Sequence, residues 1–294
     1  MKKVWLFLAG LVFAVLWSSA STATKLGLVA VQPLVICITR FFLAGVLMVV
    51  IAHLVLRSRL PQGKEWGQLA IYGFLNISLY LGLYVLAMQH VSPGLGSLAV
   101  ATNPVFINLI SALFFRQPLK GYVVLSLLLC SAGVVLAAWP LLQNSSATPG
   151  GLLILLVSML AYSAGVLYFS RRSWNNLSIM SINGWQTLLG GIFLLPFAAV
   201  TYRAGQNVWD WRTIGAVLWL AIPVSIVAVQ LWLYLLKDNA ARASFWLFLC
   251  PVSGFLIANA VMKEPISVYT IAGMALVIGG LYLVQAKMSG KRVP

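Results

Sequence analysis

Two polar side chains stand where the surrounding sequence is almost wholly apolar: Arg40 in VICITRFFLAG and Asn76 in YGFLNISLY. A guanidinium in such a place can hold the carboxylate or phosphate of a ligand, or it can cap backbone carbonyls; an amide can read a polar group as donor or acceptor. Around them recur side chains suited to holding a small molecule: Trp17, Ser18, Tyr80, Asn103, Tyr162, Trp185, Gln186 and Gln230. Aromatic faces fit an apolar substrate body, and amides and hydroxyls fit its polar end. Side chains for covalent chemistry are scattered. Cys37, Cys130 and Cys250 lie singly in apolar runs, and His53 and His90 have no nearby partner in sequence. The four acids, Glu65, Asp210, Asp238 and Glu264, fall in connections or at the ends of apolar runs. No nucleophile–base pair, metal cluster or disulfide framework is legible, so no enzyme activity, cofactor or metal is expected. The lack of a carboxylate inside an apolar run also argues against exchange of protons for cationic drugs.

These residues must be positioned by elements that live in lipid. Hydrophobic residues make up 62% of the 294 and charged ones 8%, against about 45–50% and about 25% in soluble domains. Spans of about 20 residues fit the apolar runs at roughly 4–24, 33–56, 66–89, 92–115, 121–140, 151–170, 178–200, 213–235, 240–262 and 268–286. The expected fold is therefore an all-α integral membrane protein with ten transmembrane helices. The formal charge of +15 does not point to nucleic acid, because the basic residues flank apolar runs and form no face interleaved with aromatics.

With the N-terminus in the cytoplasm, the inside segments hold Lys2, Lys3, Arg57, Arg59, Lys64, Arg116, Lys120, Arg171, Arg172, Lys237, Lys287, Lys291 and Arg292. The outside segments hold only Lys25, Arg203, Arg212 and Lys263. The positive-inside rule then places both termini in the cytoplasm. Taken alone, the first span has the basic start, apolar middle and small residues of a secretory signal cleaved after Ala23. Retention is the expectation, because Trp17-Ser18-Ser19 has a counterpart in Tyr162-Ser163-Ala164 of the sixth span.

That counterpart belongs to a longer repetition. NPVFINLISALFFRQPL from Asn103 returns as CPVSGFLIANAVMKEPI from Cys250, at an offset of 147 residues. Pro104 matches Pro251, Leu109 matches Leu256 and Pro118 matches Pro265; the same register joins Ser78 to Ser225, Ser97 to Ser244 and Gly133 to Gly280. Five spans per repeat is an odd number, so the second repeat must cross the membrane upside down. Inverted repeats of this kind place a substrate site near the midplane between the halves. The polar stretch QNSSATPGG marks the junction, giving repeats at 1–145 and 146–294 around a central cavity.

Ten spans in five-plus-five order, Trp17-Ser18 in the first, Arg40-Phe41 in the second and prolines in the fourth and ninth resemble the drug/metabolite transporter superfamily, and within it the EamA-type exporters. That family closes its fourth and ninth spans with an acidic residue; Glu264 fits and Arg116-Gln117 departs, which removes the acid from the first-half position. The resemblance implies a small-metabolite exporter of a bacterial inner membrane. It also implies a cavity lined by spans one to four and six to nine, with five and ten at the periphery.

Within this frame Arg40 lies seven residues after Pro33, about 10 Å into its helix. Burying its charge costs about 2.5–3.5 kcal/mol, so it must face the bundle or snorkel. Gln186 stands one residue from the repeat equivalent of Arg40, which leaves a functional pairing open. Pro104, Pro223 and Pro251 free backbone carbonyls and are either hinges or static kinks. Small residues at four-residue spacing, Gly133 with Ala137 and Ala275 with Gly279, suit close packing of spans five and ten, within a monomer or across a homodimer. The leading expectation is a secondary transporter exporting small neutral or zwitterionic metabolites such as amino acids, by alternating access. The alternative is a flippase or carrier for lipids or lipid-linked anions, meeting phosphate with Lys25, Arg40 and Arg242. The expected partners are the substrate and membrane lipid.

Overall fold

The structure, a computed structural model, describes residues 2–114, 121–143, 146–238 and 240–289. These residues form ten helices in chain order. They are α1 (Lys2–Gly27), α2 (Pro33–Val55), α3 (Lys64–Ala87), α4 (Pro93–Ala101 and Asn103–Phe114), α5 (Gly121–Gln143), α6 (Pro149–Ser170), α7 (Ile179–Thr201), α8 (211–238), α9 (Ala240–Met262) and α10 (Val268–Ser289). Seven helices are continuous, long and apolar enough to cross a membrane, and α4 makes an eighth if its two pieces count as one bent span. Large apolar side chains stand exposed on the outside, among them Phe7, Leu128, Leu153, Phe197 and Ile271. Only lipid makes such a surface favourable.

Local chemistry sets the helix starts. Proline occupies the first turn of α2, α4 and α6, where no N–H is needed. Ser92, Thr148, Ser178 and Asp210 each accept from a backbone N–H three residues on, at the starts of α4, α6, α7 and α8. The expected fourth span differs from the observed one: α4 bends by 43° between Ala101 and Asn103. Pro104 supplies the reason, since its ring opposes the carbonyl of Val100 and its nitrogen has no hydrogen to donate. Pro251, its repeat equivalent, sits buried within an uninterrupted α9.

The inverted duplication is visible in how the helices pair. Packing of α1 on α8 and α9 is matched by packing of α6 on α3 and α4, while α2 pairs with α7 and α5 with α10. Exchanging the halves maps this pattern onto itself. The self-paired helices run antiparallel: Phe41 meets Gly191, Gly45 meets Leu188 and Val49 meets Gly184. Along the α5–α10 seam, Gly133 faces Gly273, Leu276 and Val277, and Gly280 faces Ser126, Leu129 and Cys130, each neighbour displaced by the repeat offset. A methyl group at Gly133 would collide with the Gly273 carbonyl, and one at Gly280 with the Cys130 sulfur, so the close approach depends on glycine. Gly133 and Ala137 are therefore used within the chain, whereas Gly279 meets no other residue.

One shared feature escaped the sequence. The helices α3 and α8 each widen into π-helical turns, Phe74–Leu81 and Leu220–Ala228, at equivalent places in the two repeats. Such turns leave carbonyls partly unsatisfied and re-aim side chains, and they recur at functional sites.

Candidate functional site

The widened turns project polar side chains into the middle of the bundle. Arg40 of α2 is 5% exposed, and its Nε and Nη2 donate to Ser225 Oγ of α8 at 3.3 and 3.1 Å. Ser225 in turn donates to the Leu220 carbonyl five residues back, at 2.8 Å, a bond set by the π register. The guanidinium lies 5.7 Å from the Phe41 ring centre and close enough to Cys37, Tyr80 and Tyr84 to interact electrostatically. Among the described residues no carboxylate acts on it.

A matching link joins α3 to α7. Asn76 Nδ2 donates to Gln186 Oε1 at 3.2 Å, and Gln186 Nε2 donates to Asn183 Oδ1 at 2.9 Å. Asn76 lies two residues from the repeat equivalent of Ser225, and Gln186 one residue from that of Arg40. Arg40 and Gln186 thus sit in two related pairs, Arg40 with Ser225 and Gln186 with Asn76. Above Asn76 on α3, the Tyr80 ring lies 4.7 Å from Tyr162 of α6 and 6.1 Å from Tyr84. Tyr84 shares a 2.7 Å hydrogen bond with Ser21 of α1. Asn103, at the bend of α4, is 4% exposed and its Oδ1 has no partner, while its carbonyl accepts from Ser163 of α6.

Arg40, Asn76, Tyr80, Asn103, Tyr162 and Gln186 therefore form one polar belt spread over α2, α3, α4, α6 and α7. The other expected residues lie apart. Trp17 packs beside Phe13, which stacks on Trp232 at 5.0 Å; Ser18 donates to the Ala14 carbonyl and sits near Gly254. Trp185 points away from Gln186, donating to His53 Nε2 at 3.0 Å and meeting Trp66 edge-on. Gln230 reaches the Met180 sulfur at 3.7 Å. Pro104 follows the bend of α4, Pro223 lies inside the π turn of α8 and Pro251 is buried in α9. Ser225 and Ser21 were missed as site residues; Ser225 had signalled only as a repeat match to Ser78.

The two ends of the bundle are closed by different chemistry. At the end where α1 begins and α10 finishes, the near end, Arg59 grips Glu65 through two bonds of 2.8 and 2.6 Å and reaches the Asn175 carbonyl at 2.7 Å. That hydrogen bond to Glu65 holds the Arg59 guanidinium above its ordinary range. At the far end, Glu264 leaves α9 and caps the start of α4. Its Oε1 accepts from Ser92 Oγ at 2.5 Å and its Oε2 from Gly94 N at 2.9 Å. Lys263, with a left-handed φ of 57°, turns the chain so that Glu264 N bonds back to the Ala258 carbonyl, a Schellman-type helix end normally given to glycine. Lys25 of α1 donates to the Met88, Gln89 and Val91 carbonyls at 2.7, 3.3 and 2.9 Å. Burial pushes the Glu264 carboxyl above its ordinary range, against the lowering effect of Ser92, Gly94 and Lys25. The first-repeat equivalents, Arg116-Gln117 with Pro118, lie outside the described residues, as does the side chain of Arg242.

A cavity of about 480 Å³ lies at this far end, lined by Lys25, His90, Ser92, Thr148, Lys263 and Glu264 among others. A second, of about 320 Å³, lies between α4, α5 and α6 and opens sideways past the exposed Val135, Leu153 and Leu156. Its lining holds no charged residue. Neither includes a belt residue.

A duplicated, antiparallel helical bundle with polar groups linked across its middle and caps at both ends is the build of a membrane carrier. The chain belongs to the EamA-like transporter family, whose profile matches residues 4–139 and 149–286, once for each repeat. It is 30% identical to a protein of Archaeoglobus fulgidus described as an uncharacterized transporter, over 98% of this chain and all of the relative. It is 26% identical to YedA of Escherichia coli, described as an uncharacterized inner membrane transporter, over 94% of this chain and 90% of that one. A crystal structure at 20% identity shares the fold, with a TM-score of 0.67 over 97% of this chain and 98% of its own. The resemblance drawn from Trp17-Ser18, Arg40-Phe41 and the paired prolines is borne out.

Proposed function

We propose that this family transporter exports small neutral or zwitterionic metabolites, amino acids or related compounds, across the bacterial inner membrane by alternating access. One observation carries the reading. Arg40 is buried with the neutral hydroxyl of Ser225 as its hydrogen-bond partner. An uncompensated buried charge is costly, and a substrate carboxylate would offset it. The unpartnered Asn103 Oδ1 would accept from a substrate ammonium, and the Tyr80–Tyr162 pair would flank an apolar side chain. The near end then faces the cytoplasm, by the positive-inside rule. The lipid-carrier alternative gains nothing from the sideways cavity, which offers a phosphate no cation.

The test is flux in proteoliposomes across a panel of amino acids and nucleobases, with Arg40→Gln as the decisive variant. Charge-assisted hydrogen bonds contribute about 1.5–3 kcal/mol, so carboxylate-bearing substrates should lose roughly 10- to 150-fold in apparent affinity. No substrate-dependent flux of any of these compounds would refute the reading. Asn76→Ala should impair flux more than Trp5→Ala, whose side chain is 60% exposed; equal activity in both would remove Asn76 from the site.

A further inference from the structure

The far-end cap joins the two repeats at a place the transport site does not use. Glu264 comes from the second repeat and holds the first turn of α4 in the first repeat. Lys25, on α1, holds the Met88 and Val91 carbonyls of the turn that leads from α3 into α4. Gly94 permits this closeness: a methyl group there would run into Phe255 of α9 and come within 2.8 Å of Glu264 Oε1. One helical turn deeper on α1, Ser21 is 2% exposed and bonded to Tyr84, which neighbours Arg40. The cap residues Lys25, Ser92 and Glu264 themselves line the 480 Å³ cavity.

We propose that the Glu264 cap on Ser92 and Gly94, braced by Lys25, is the far-side gate of the transport path, opened when Glu264 leaves the start of α4. The proposal rests on the alternating-access reading. The charged and titratable groups facing Glu264 are Lys25 from α1, His90 from the α3–α4 turn and Lys263 from the end of α9. Hydrogen bonds hold the gate shut, whereas the cost of burying the carboxylate pushes it open. Because burial raises the Glu264 pKa in the closed form, protonation favours closure: acid on the far side shuts the gate, and its release is favoured as pH rises above the closed-state value.

The experiment uses the full chain with Cys37, Cys130 and Cys250 replaced and Ser21→Cys introduced, reconstituted in one orientation. A membrane-impermeant maleimide is added from the far side. Its rate is referred to that of Val29→Cys, a position 74% exposed in the α1–α2 connection, which removes the reagent's own pH dependence. Glu264→Ala, which loses both bonds, should raise the relative rate about tenfold. Glu264→Gln, which keeps an acceptor but no charge to expel, should label no faster than the parent. The parent's relative rate should fall as far-side pH drops from about 7 to about 5, and Glu264→Gln should be flat. Ser92→Ala, with no charge removed, should raise the rate about threefold and serves if Glu264→Ala does not fold. Equal labelling of parent, Glu264→Ala and Ser92→Ala would overturn the gate, as would labelling from the near side only or an equal increase in Glu264→Ala and Glu264→Gln. Substrate plays no part in this readout, so a failure to find flux would sink the transport reading alone.

Discussion

The loops that close the near end and their repeat equivalents at the far end have the same arrangement and opposite chemistry. At the near end the α2–α3 and α6–α7 connections are joined by Arg59, Glu65 and the Asn175 carbonyl. At the far end the α7–α8 and α1–α2 connections are joined by neutral amides: Asn207 Nδ2 donates to Gln32 Oε1, and Gln32 N to Asn207 Oδ1, each at 2.9 Å. Duplication preserved the meeting of the loops while the side chains diverged. An antiparallel repeat gives a protein two similar ends, and only changed side chains let those ends respond to different conditions. The near end relies on a charge pair, and the far end adds a buried carboxylate to its neutral clasp.

Breaking the near-end pair should have the largest effect. In Glu65→Gln the Arg59 guanidinium loses its carboxylate at a buried acid; breaking such pairs costs about 3–5 kcal/mol when both partners are buried. Arg59 is 34% exposed, so solvent screening cuts that cost, and the loss is read as a lower Tm of the detergent-purified protein. A Tm unchanged within error would show that the pair does not hold the near end. Gly94→Ala comes next. Crowding Phe255 and Glu264 should cost about 1–3 kcal/mol and loosen the far end, seen as faster hydrogen exchange in the α3–α4 turn with the α2–α3 connection unaffected. Gln32→Ala should be mildest, at about 1 kcal/mol, and its Tm deficit should be the same in low and high salt, whereas that of Glu65→Gln should shrink in high salt. Equal salt dependence of the two would erase the contrast between the ends.

Much of the belt was legible because polar residues are rare in these helices. Arg40, Asn76 and Gln186 declared themselves by standing in apolar runs, and all three make hydrogen bonds between helices. Trp185 and Gln230 shared that signal but turned to His53 and Met180. One residue of helix rotates a side chain by about 100°, and no pattern in the sequence said which way α7 was turned. Glu264 was noted as the acid that closes the ninth span, but its partners, Ser92 and Gly94, lie more than 160 residues earlier.

The sequence by itself determined that this protein lives in a bilayer, that its helices come in two sets of five, and that the second set is inverted. Composition, span length and a repeat offset suffice for that, because lipid accepts only elements that satisfy their own backbone. Which helix faces meet was decided only in the tertiary structure. In a soluble helix the apolar stripe marks the buried face; here lipid and protein interior are equally apolar, so hydropathy looks the same all round. The antiparallel seams, the widened turns that aim Ser225 at Arg40 and the cap of Glu264 on α4 depend instead on close packing and on pairing polar groups across helices.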